Sequence, residues 1–380
     1  MKPYIAIIIK PTLECIRSCR HCYHLPEERK PEQISLQTLE RLFKSVSQEY
    51  QSVWFIWHGG EPLQLPFSFY RKAFDLQNKY FGKDSHRVGN TIQTNGVNID
   101  RRLLRLCESN NINIGISYEG PYNNVLRNMT EETEKAIELM QKHGSKFTVS
   151  CTLSNETVDE QLEMYRYFRD HKIAPSFSPV VPKGCAAMDL SLVPDTEKYI
   201  KASIETFNEW LYDKDSEVPL LPYYLYILNV LGKPAFADCA HVSCMGNWLC
   251  IYPNGDLYPC AKGCPEKYCL GNINDIEEIE EAFMSDGFAD ILEGTVSRRD
   301  ECIDCEIYRY CAGGCSVDAD CETGIEKNQG PSCRIYKSVF THIKEEIEKI
   351  LQEKPDMSQY NIFVRDAILG KLINPGIINL

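Results

Sequence analysis

The chain has 380 residues, a length that corresponds to about 2.5 domains of ordinary size. With 43% apolar and 25% charged residues, its composition is typical of a soluble globular protein. The net charge of −13 argues against a general nucleic-acid or anionic-membrane surface, because such surfaces need clustered Lys and Arg. The apolar run at 4–9 is too short for a signal-peptide core or a membrane span. We therefore expect a cytoplasmic protein that binds neither nucleic acid nor membrane.

The first half of the chain predicts strands that alternate with helices. Apolar runs of strand length lie at 4–10, 53–57, 91–94, 112–117, 146–153 and 173–180. Helical apolar spacing lies between them, at 36–50, 67–80, 101–109, 131–143 and 158–170. Such alternation predicts a parallel sheet, either an open doubly wound sheet or a partial barrel, and periodicity does not separate the two. In both, functional groups lie at the carboxyl ends of the strands.

Three cysteines follow the first expected strand in the pattern C-x3-C-x2-C: Cys15, Cys19 and Cys22. A structural zinc site takes four protein ligands, and an ordinary four-iron cluster takes four cysteines. Three thiolates therefore predict a cluster with one iron open to a small molecule, with a chance match or half of a zinc site as the alternatives. The loop resembles the signature of radical S-adenosylmethionine (SAM) enzymes, in which the open iron chelates SAM. His21 stands at that family's usual aromatic position.

Further elements at strand ends resemble the SAM-binding elements of that family. A Gly-Gly-Glu-Pro turn follows the second strand, and a Gln-Thr-Asn-Gly element ends the third. A tight turn and solvated charges are the plainer interpretations of such patterns. By the resemblance, the residues expected to bind SAM are Gly59, Gly60, Glu61, Asn95, Ser117 and Arg127, together with His21. The resemblance also favours a partial (β/α)6 TIM-like barrel.

The second half is rich in cysteine. After a helical bridge at about 196–231, cysteines crowd the chain from Cys239 to Cys333, with few strong helix or strand patterns. We expect metal to replace part of the core there. An Asn-Gly turn at 252–260 predicts a hairpin that presents Cys260. A zinc ribbon is the alternative, because C-x2-C pairs are also zinc hallmarks.

The cysteine spacing resembles the SPASM extension of radical SAM enzymes, which carries two auxiliary four-iron clusters. By that resemblance the first auxiliary cluster takes Cys239, Cys244, Cys260 and Cys315, and the second takes Cys302, Cys305, Cys311 and Cys333. Cys250 is the alternative partner of Cys244 in the first cluster. The cofactors expected are SAM and three 4Fe–4S clusters. The expected domains are a barrel at 1–190, a bridge at 191–236, the SPASM domain at 237–335 and a helical tail at 336–380.

Seven cysteines remain outside these clusters. Cys107 and Cys151 lie in a helix and a strand, where we expect buried apolar packing. No role follows from sequence for Cys185 or Cys321, and none for Cys250 beyond that of the alternative ligand named above. Candidates for a chemical role near Cys260 are Lys262, Cys264, Glu266 and Cys269.

The resemblance implies reductive cleavage of SAM to a 5′-deoxyadenosyl radical that abstracts hydrogen from a peptide or protein. Sulfatase-maturating relatives place an aspartate, which acts as a base, directly after Tyr-Pro-Cys, whereas this chain has Ala261. We therefore rank a thioether or carbon–carbon cross-link in a ribosomal peptide first, formylglycine formation second and epimerisation third. A non-catalytic iron–sulfur electron carrier is the alternative of another class.

The expected partners are a peptide or protein substrate and an external electron donor such as flavodoxin or ferredoxin. The first strand begins at Tyr4, which leaves no room before it for a leader-binding domain. Any leader peptide would therefore be held by a separate leader-binding protein, by the barrel mouth or by the tail. We expect the helical tail to pack on the barrel or on the bridge.

Overall fold

The structure is a computed structural model that describes residues 1–82, 86–233, 244–262, 266–327 and 329–371. In these ranges it contains eight strands. They are β1 (Lys2–Ile9), β2 (Tyr50–Trp57), β3 (Val88–Thr94), β4 (Ile112–Ser117), β5 (Phe147–Leu153), β6 (Ala174–Pro179), β7 (Trp248–Ile251) and β8 (Leu257–Tyr258).

The helices of the first 230 residues are α1 (Leu36–Glu49), α2 (Phe67–Phe81), α3 (Arg101–Ser109), α4 (Asn123–Leu126), α5 (Thr130–His143), α6 (Gln161–Asp170), α7 (Cys185–Met188), α8 (Thr196–Tyr212) and α9 (Tyr223–Val230). Those of the later, cysteine-rich part are α10 (Asp286–Asp300), α11 (Tyr308–Cys311), α12 (Ser316–Glu322), α13 (Pro331–Glu353) and α14 (Ile362–Ile368).

The chain divides into two compact units. The first unit comprises Met1–Ser117, Arg127–Phe147 and Cys244–Glu293. Its strands pair in the order β4-β3-β2-β1-β7-β8, with every pair parallel except the antiparallel hairpin β7–β8. The side chains of Ile5–Ile9 are almost fully buried, as expected of a strand covered on both faces.

Helix starts in the first unit follow local capping chemistry. Ser35 accepts a hydrogen bond from the Thr38 amide at the start of α1, and Asp100 accepts from Arg102 and Leu103 at the start of α3. These caps and the apolar helix faces, which include Leu39 and Leu42, explain why sequence predicted these helices well.

The second unit comprises Tyr118–Leu126, Thr148–Ser243 and Gly294–Leu380. Within it β5 and β6 pair in parallel, and α13 packs on α8 and α9. The amide of Asn361, which caps α14, donates to the Leu211 carbonyl at 2.9 Å. The helical tail therefore packs on the bridge helices, one of the two places that the sequence suggested.

The predicted strands and helices of the first half are present, with bounds that differ by a few residues. Several elements of the second half were missed, among them α10 and β7. Helix α10 has 15 residues, although the sequence showed little helical pattern there. Strand β7 pairs in parallel with β1, about 240 residues earlier, a contact that local periodicity does not encode.

Among the described residues no helix is long and apolar enough to cross a membrane. Cys107 and Cys151 are 3% and 0% exposed, which confirms that both are buried.

Candidate active site

The carboxyl ends of the parallel strands in the first unit carry the residues of the candidate site. Lys10 follows β1, His58 follows β2, Asn95 follows β3 and Tyr252 follows β7. The Lys10 amide donates to the Ile251 carbonyl at 2.9 Å, and the His58 amide donates to the Ile9 carbonyl at 2.8 Å. These backbone bonds keep three strand ends level, so that their loops meet at one edge.

The cysteine loop brings its three thiols close together. The Cys22 amide donates to the Cys19 carbonyl at 3.2 Å, and the Arg17 amide donates to Cys15 Sγ at 3.4 Å. Burial raises the pKa of the Cys15 thiol to about 11, and the neighbouring Cys19 and Cys22 thiols add to that rise. A cluster would reverse this effect, because metal ligation deprotonates the thiol outright.

The two glycines of the Gly-Gly-Glu-Pro turn pack directly against the cysteine loop. A Cβ atom on Gly60 would lie 2.2 Å from the Leu13 carbonyl oxygen and 2.4 Å from that of Glu14. On Gly59, which has φ +114°, it would lie 2.4 Å from the Thr12 carbonyl oxygen. Only glycine therefore allows this turn to support the loop that carries Cys15.

The Glu61 carboxylate joins this turn to the next strand end. Its oxygens accept from the Leu63 amide at 2.9 Å, the Thr94 hydroxyl at 2.6 Å and the Asn95 amide at 2.7 Å. Burial raises the pKa of this carboxyl, and the three donors and Arg17 oppose the rise. A carboxylate has about four acceptor positions, so these bonds leave room for a ligand ammonium.

Arg17 fixes the opposite side of the cysteine loop. Its buried guanidinium donates to the carbonyls of Asn95 at 3.3 Å and Met129 at 3.0 Å, and also to the Thr133 hydroxyl. The loop is thus tied to β3 and to the start of α5. Sequence analysis assigned Arg17 no role. The available signal was an arginine inside the cysteine loop.

Near the loop, the buried polar atoms without a protein hydrogen-bond partner include His21 Nδ1 and Asn95 Nδ2. Burying such atoms without a partner costs free energy, so both fit residues that bind a polar ligand. Arg127 donates to Cys19 Sγ at 3.7 Å, and its charge adds to the lowering of the His21 pKa that burial causes. Ser117 Oγ accepts from Gln93 at 3.1 Å. These contacts fit the predicted SAM site, and the role of each residue stays a prediction.

A buried lysine that sequence analysis missed lies beside Ala261. Lys10 Nζ donates to the Ala261 carbonyl at 2.7 Å and to Tyr252 Oη at 2.8 Å, and lies 3.1 Å from His24 Nε2. Its side chain is 0% exposed. A lysine at the end of an otherwise apolar strand was the available signal, since buried lysines are rare without a partner.

Two histidines near Lys10 are neutral at physiological pH. Burial lowers the pKa of His58 to about 4, and the Lys10 charge lowers it further. Burial also lowers the pKa of His24 to about 4, with Glu28 opposing and Lys10 adding to the effect. Lys10, which bonds the Ala261 carbonyl, is therefore accompanied by two neutral imidazoles.

Replacing Lys10 with methionine should change stability in a pH-dependent way. At neutral pH the Ala261 carbonyl loses a buried donor, so we expect a loss of roughly 1–3 kcal/mol in the free energy of unfolding. Both histidine pKa values are depressed on folding, so stability present above pH 6.5 falls as the pH approaches about 4. Lys10 lowers both histidine pKa values, so K10M should lose less stability than the wild type on acidification. The difference in free energy of unfolding between the wild type and K10M should therefore become smaller.

Urea unfolding of wild type and K10M at pH 7 and pH 5 measures this gap. K198M is the matched control, because Lys198 is half exposed and pairs with Asp159 at the surface. A gap for K10M that stays constant or widens at pH 5 would contradict the assigned electrostatics.

The second unit gathers the four thiols assigned to the second auxiliary cluster. Burial raises the pKa of Cys311 to about 11, and the nearby Cys333, Cys302 and Cys305 thiols add to the rise. Cys311, Cys315 and Cys333 also line one pocket. Within the described ranges, no three His, Cys, Asp or Glu side chains are arranged to hold a single metal ion. The cluster assignment stays a prediction.

The other predicted residues have varied positions. Cys250 is 0% exposed and packs against Ile8 and Ala261, whereas Cys244 is half-buried. Cys269 is also half-buried, and the Lys262 amide donates to Cys260 Sγ at 3.4 Å. Cys239 and Cys264 and the side chain of Glu266 lie outside the described residues. Whether Cys239 or Cys250 accompanies Cys244 in the first auxiliary cluster therefore stays open.

Two family models match the sequence. The radical SAM superfamily model matches residues 9–168, and the SPASM iron–sulfur cluster-binding model matches residues 239–306. The chain belongs to the radical SAM superfamily and carries a SPASM domain. It is a radical SAM enzyme, and its cofactors are SAM and iron–sulfur clusters.

Relatives match over most of the chain. A cysteine-type anaerobic sulfatase-maturating enzyme of Clostridium perfringens is 26% identical over 370 residues, which cover 90% of this chain and 96% of the relative. A serine-type anaerobic sulfatase-maturating enzyme of Bacteroides thetaiotaomicron is 25% identical over 380 residues, covering 89% of each chain.

Solved structures share the fold. Histidine-tagged anSMEcpe with bound AdoMet superposes with a TM-score of 0.81 at 23% identity, covering 94% of this chain and 97% of that one. Streptococcus suis SuiB bound to S-adenosylmethionine gives a TM-score of 0.62 at 16% identity, covering 87% and 77%. The expected α/β fold, a partial barrel followed by a cysteine-rich SPASM domain, is thereby confirmed.

Proposed function

We propose that this radical SAM SPASM enzyme oxidises a peptide, and that its product is a thioether or carbon–carbon cross-link in a ribosomal peptide. The observation that carries the choice of product is Ala261, whose carbonyl accepts from the buried Lys10 ammonium. By the resemblance, sulfatase-maturating enzymes have a basic aspartate at that position. Ala261 and the nearby Lys10 offer no carboxylate base in place of that aspartate. The site therefore favours an oxidation product other than formylglycine.

Peptide as the substrate class is supported by the relatives. Native anSMEcpe has been solved with AdoMet and the Cp18Cys peptide, and SuiB with its precursor peptide SuiA. Both share the fold of this chain. We extend the class of substrate, and not its sequence, to the protein described here.

SAM bound at a reduced cluster supplies the hydrogen-atom abstraction. In our proposal Cys15, Cys19 and Cys22 hold that cluster, while Glu61 and Asn95 orient the bound SAM. Two auxiliary clusters held by the SPASM cysteines would bring the total to three and would offer an acceptor for the electron that leaves the substrate. An external reductant such as flavodoxin or ferredoxin supplies electrons to the SAM cluster.

The oxidation balances as a loss of two hydrogen atoms from the peptide per event. One leaves as a hydrogen atom, and the other leaves as a proton and an electron. Epimerisation differs, because it returns a hydrogen to the same carbon and leaves the mass unchanged. An electron carrier without turnover would produce neither change.

Co-expression tests the proposal. Small cysteine-containing peptides encoded beside the gene would be expressed anaerobically with the wild type and, in parallel, with a variant that lacks one SAM-cluster cysteine. We expect a peptide that is lighter by two hydrogen atoms with the wild type alone, and fragmentation that stops between two linked residues. An unchanged mass with deuterium gained from heavy water would support epimerisation instead.

Formylglycine formation is the second candidate, favoured by the similarity to sulfatase-maturating enzymes over about nine-tenths of the chain. The Cp18Cys peptide, present in one of the solved relatives, is a direct probe. We expect no aldehyde on this peptide with the wild type. Aldehyde formation at a rate comparable to SAM cleavage would make sulfatase maturation the better assignment.

A further inference from the structure

A fully buried arginine in the second unit holds the loop between two cysteines assigned to different clusters. Arg298 lies near the end of α10 and is 0% exposed. Its guanidinium donates to the Gly313 carbonyl at 3.0 Å, the Gly314 carbonyl at 3.4 Å and the Ser316 hydroxyl at 2.9 Å. A further bond joins it to the Ile325 carbonyl at 2.9 Å.

The loop that Arg298 holds has an unusual backbone. Ala312, Gly313 and Gly314 all have positive φ, at 51°, 86° and 75°. Only Ala312 pays the side-chain penalty of positive φ, and the carbonyls of such a run point in directions that ordinary secondary structure does not satisfy. Arg299 donates to the Ala312 carbonyl at 3.0 Å, so two adjacent arginines satisfy three successive carbonyls.

This loop determines where two cysteines point. It is the whole connection between Cys311 and Cys315, and both line the same pocket. Cys302 also lies close, with its thiol donating to the Arg298 carbonyl at 3.6 Å. The guanidinium interacts electrostatically with Cys315, Cys302 and Cys311.

We propose that Arg298 is a positioning residue for the auxiliary clusters, and that its buried charge makes them better electron acceptors. The inference rests on the proposed function, because it assumes that Cys302, Cys311 and Cys315 hold iron–sulfur clusters. Arg298 holds the loop that passes from one ligand set to the other. Its charge lies beside ligands of both sets.

Reducing a cluster adds negative charge, and a fixed positive charge in a buried, poorly screened position favours that step. Arginine keeps its proton inside proteins and offers five donors in a rigid fork. A lysine keeps the charge but reaches fewer of these acceptors. Replacing Arg298 with lysine therefore separates the effect of the charge from that of the hydrogen bonds to the loop.

Three variants test the inference: R298Q, R298K and R299Q. Iron content, thermal unfolding and the midpoint potentials of the auxiliary clusters would be measured for each in the full-length, reconstituted protein, with a chemical reductant in a spectroelectrochemical cell. R299Q is the matched control, because Arg299 also bonds the loop but is only half-buried. Removing Cys22 in every variant eliminates the signal of the SAM cluster.

We expect R298Q to lower a midpoint potential by at least about 59 mV, which is a tenfold loss in the equilibrium constant for accepting one electron. R298K should keep the potential near that of the wild type while unfolding at a lower temperature. R299Q should leave the potential unchanged. If R298Q assembles no auxiliary cluster while R298K assembles both, the positioning role is supported directly.

Two results overturn the inference. One is an R298Q protein with full iron content and wild-type potentials, and the other is an R298K shift as large as that of R298Q. The proposed function fails in a different way. If the wild type binds iron for the SAM cluster alone, the auxiliary assignment is wrong, whatever the variants show.

Discussion

The Cys22→Ala variant is expected to lose SAM cleavage entirely, the largest single effect in this account. Cys22 is one of only three thiols in the loop, so no spare cysteine of the loop replaces it. Loss of an outer hydrogen-bond partner of a metal ligand lowers metal affinity or activity roughly 10–100-fold, and loss of the ligand itself should lower it further. The measurements are 5′-deoxyadenosine production with a strong reductant and iron content of the purified protein.

Cys107→Ala is the matched control for this variant. Cys107 is buried in α3 and packs as an apolar side chain, so its loss should change neither iron content nor SAM cleavage. A Cys22→Ala protein that cleaves SAM at more than a few per cent of the wild-type rate would show that the triplet does not hold the catalytic cluster.

Replacing Gly60 with alanine should have the second largest effect. The new Cβ would meet two backbone oxygens, at 2.2 Å and 2.4 Å, and backbone atoms do not move aside as a flexible side chain does. Overpacking of this kind costs roughly 1–3 kcal/mol and sometimes more. Because the two oxygens belong to Leu13 and Glu14, the displacement acts directly on the loop that carries Cys15.

The expected result for Gly60→Ala is therefore a lower unfolding temperature together with loss of iron from the SAM cluster. Gly144→Ala separates these effects. Gly144 has φ +75° and ends α5, but nothing lies within 4 Å of a Cβ there, so alanine costs only backbone strain of roughly 1–2 kcal/mol. If Gly60→Ala retains full iron content, the support that we assign to this turn is wrong.

Local patterns predicted the first half of the chain well because its signals are local. An apolar strand, a cysteine loop, a capped helix and a glycine turn each lie within about 15 residues of sequence. The spacing of Cys15, Cys19 and Cys22 already implied an open cluster. The family models confirm the radical SAM family and the SPASM domain, and the role of these three cysteines stays a prediction.

The contacts around Ala261 could not be predicted from local sequence patterns. Lys10 and Ala261 are separated by 251 positions and meet because β7 pairs with β1. No periodicity links a strand near the start of a chain to a short hairpin near its end. Sequence analysis therefore noticed the missing aspartate but not the buried ammonium beside that position.

The role of Arg298 was hidden for a related reason. Helix α10 has a weak amphipathic pattern, so sequence analysis placed no helix around Arg298. The positive φ angles of 312–314 are indicated in the sequence only by two adjacent glycines. The bonds between the two segments appear only in three dimensions.

Deuterium transfer tests the central claim most directly. A peptide that passes the co-expression test would be prepared fully deuterated at carbon and incubated with the wild type, SAM and a reductant in ordinary water. We predict 5′-deoxyadenosine that carries deuterium from the peptide. 5′-Deoxyadenosine free of deuterium, formed while the peptide is still modified, would contradict hydrogen abstraction from a peptide carbon.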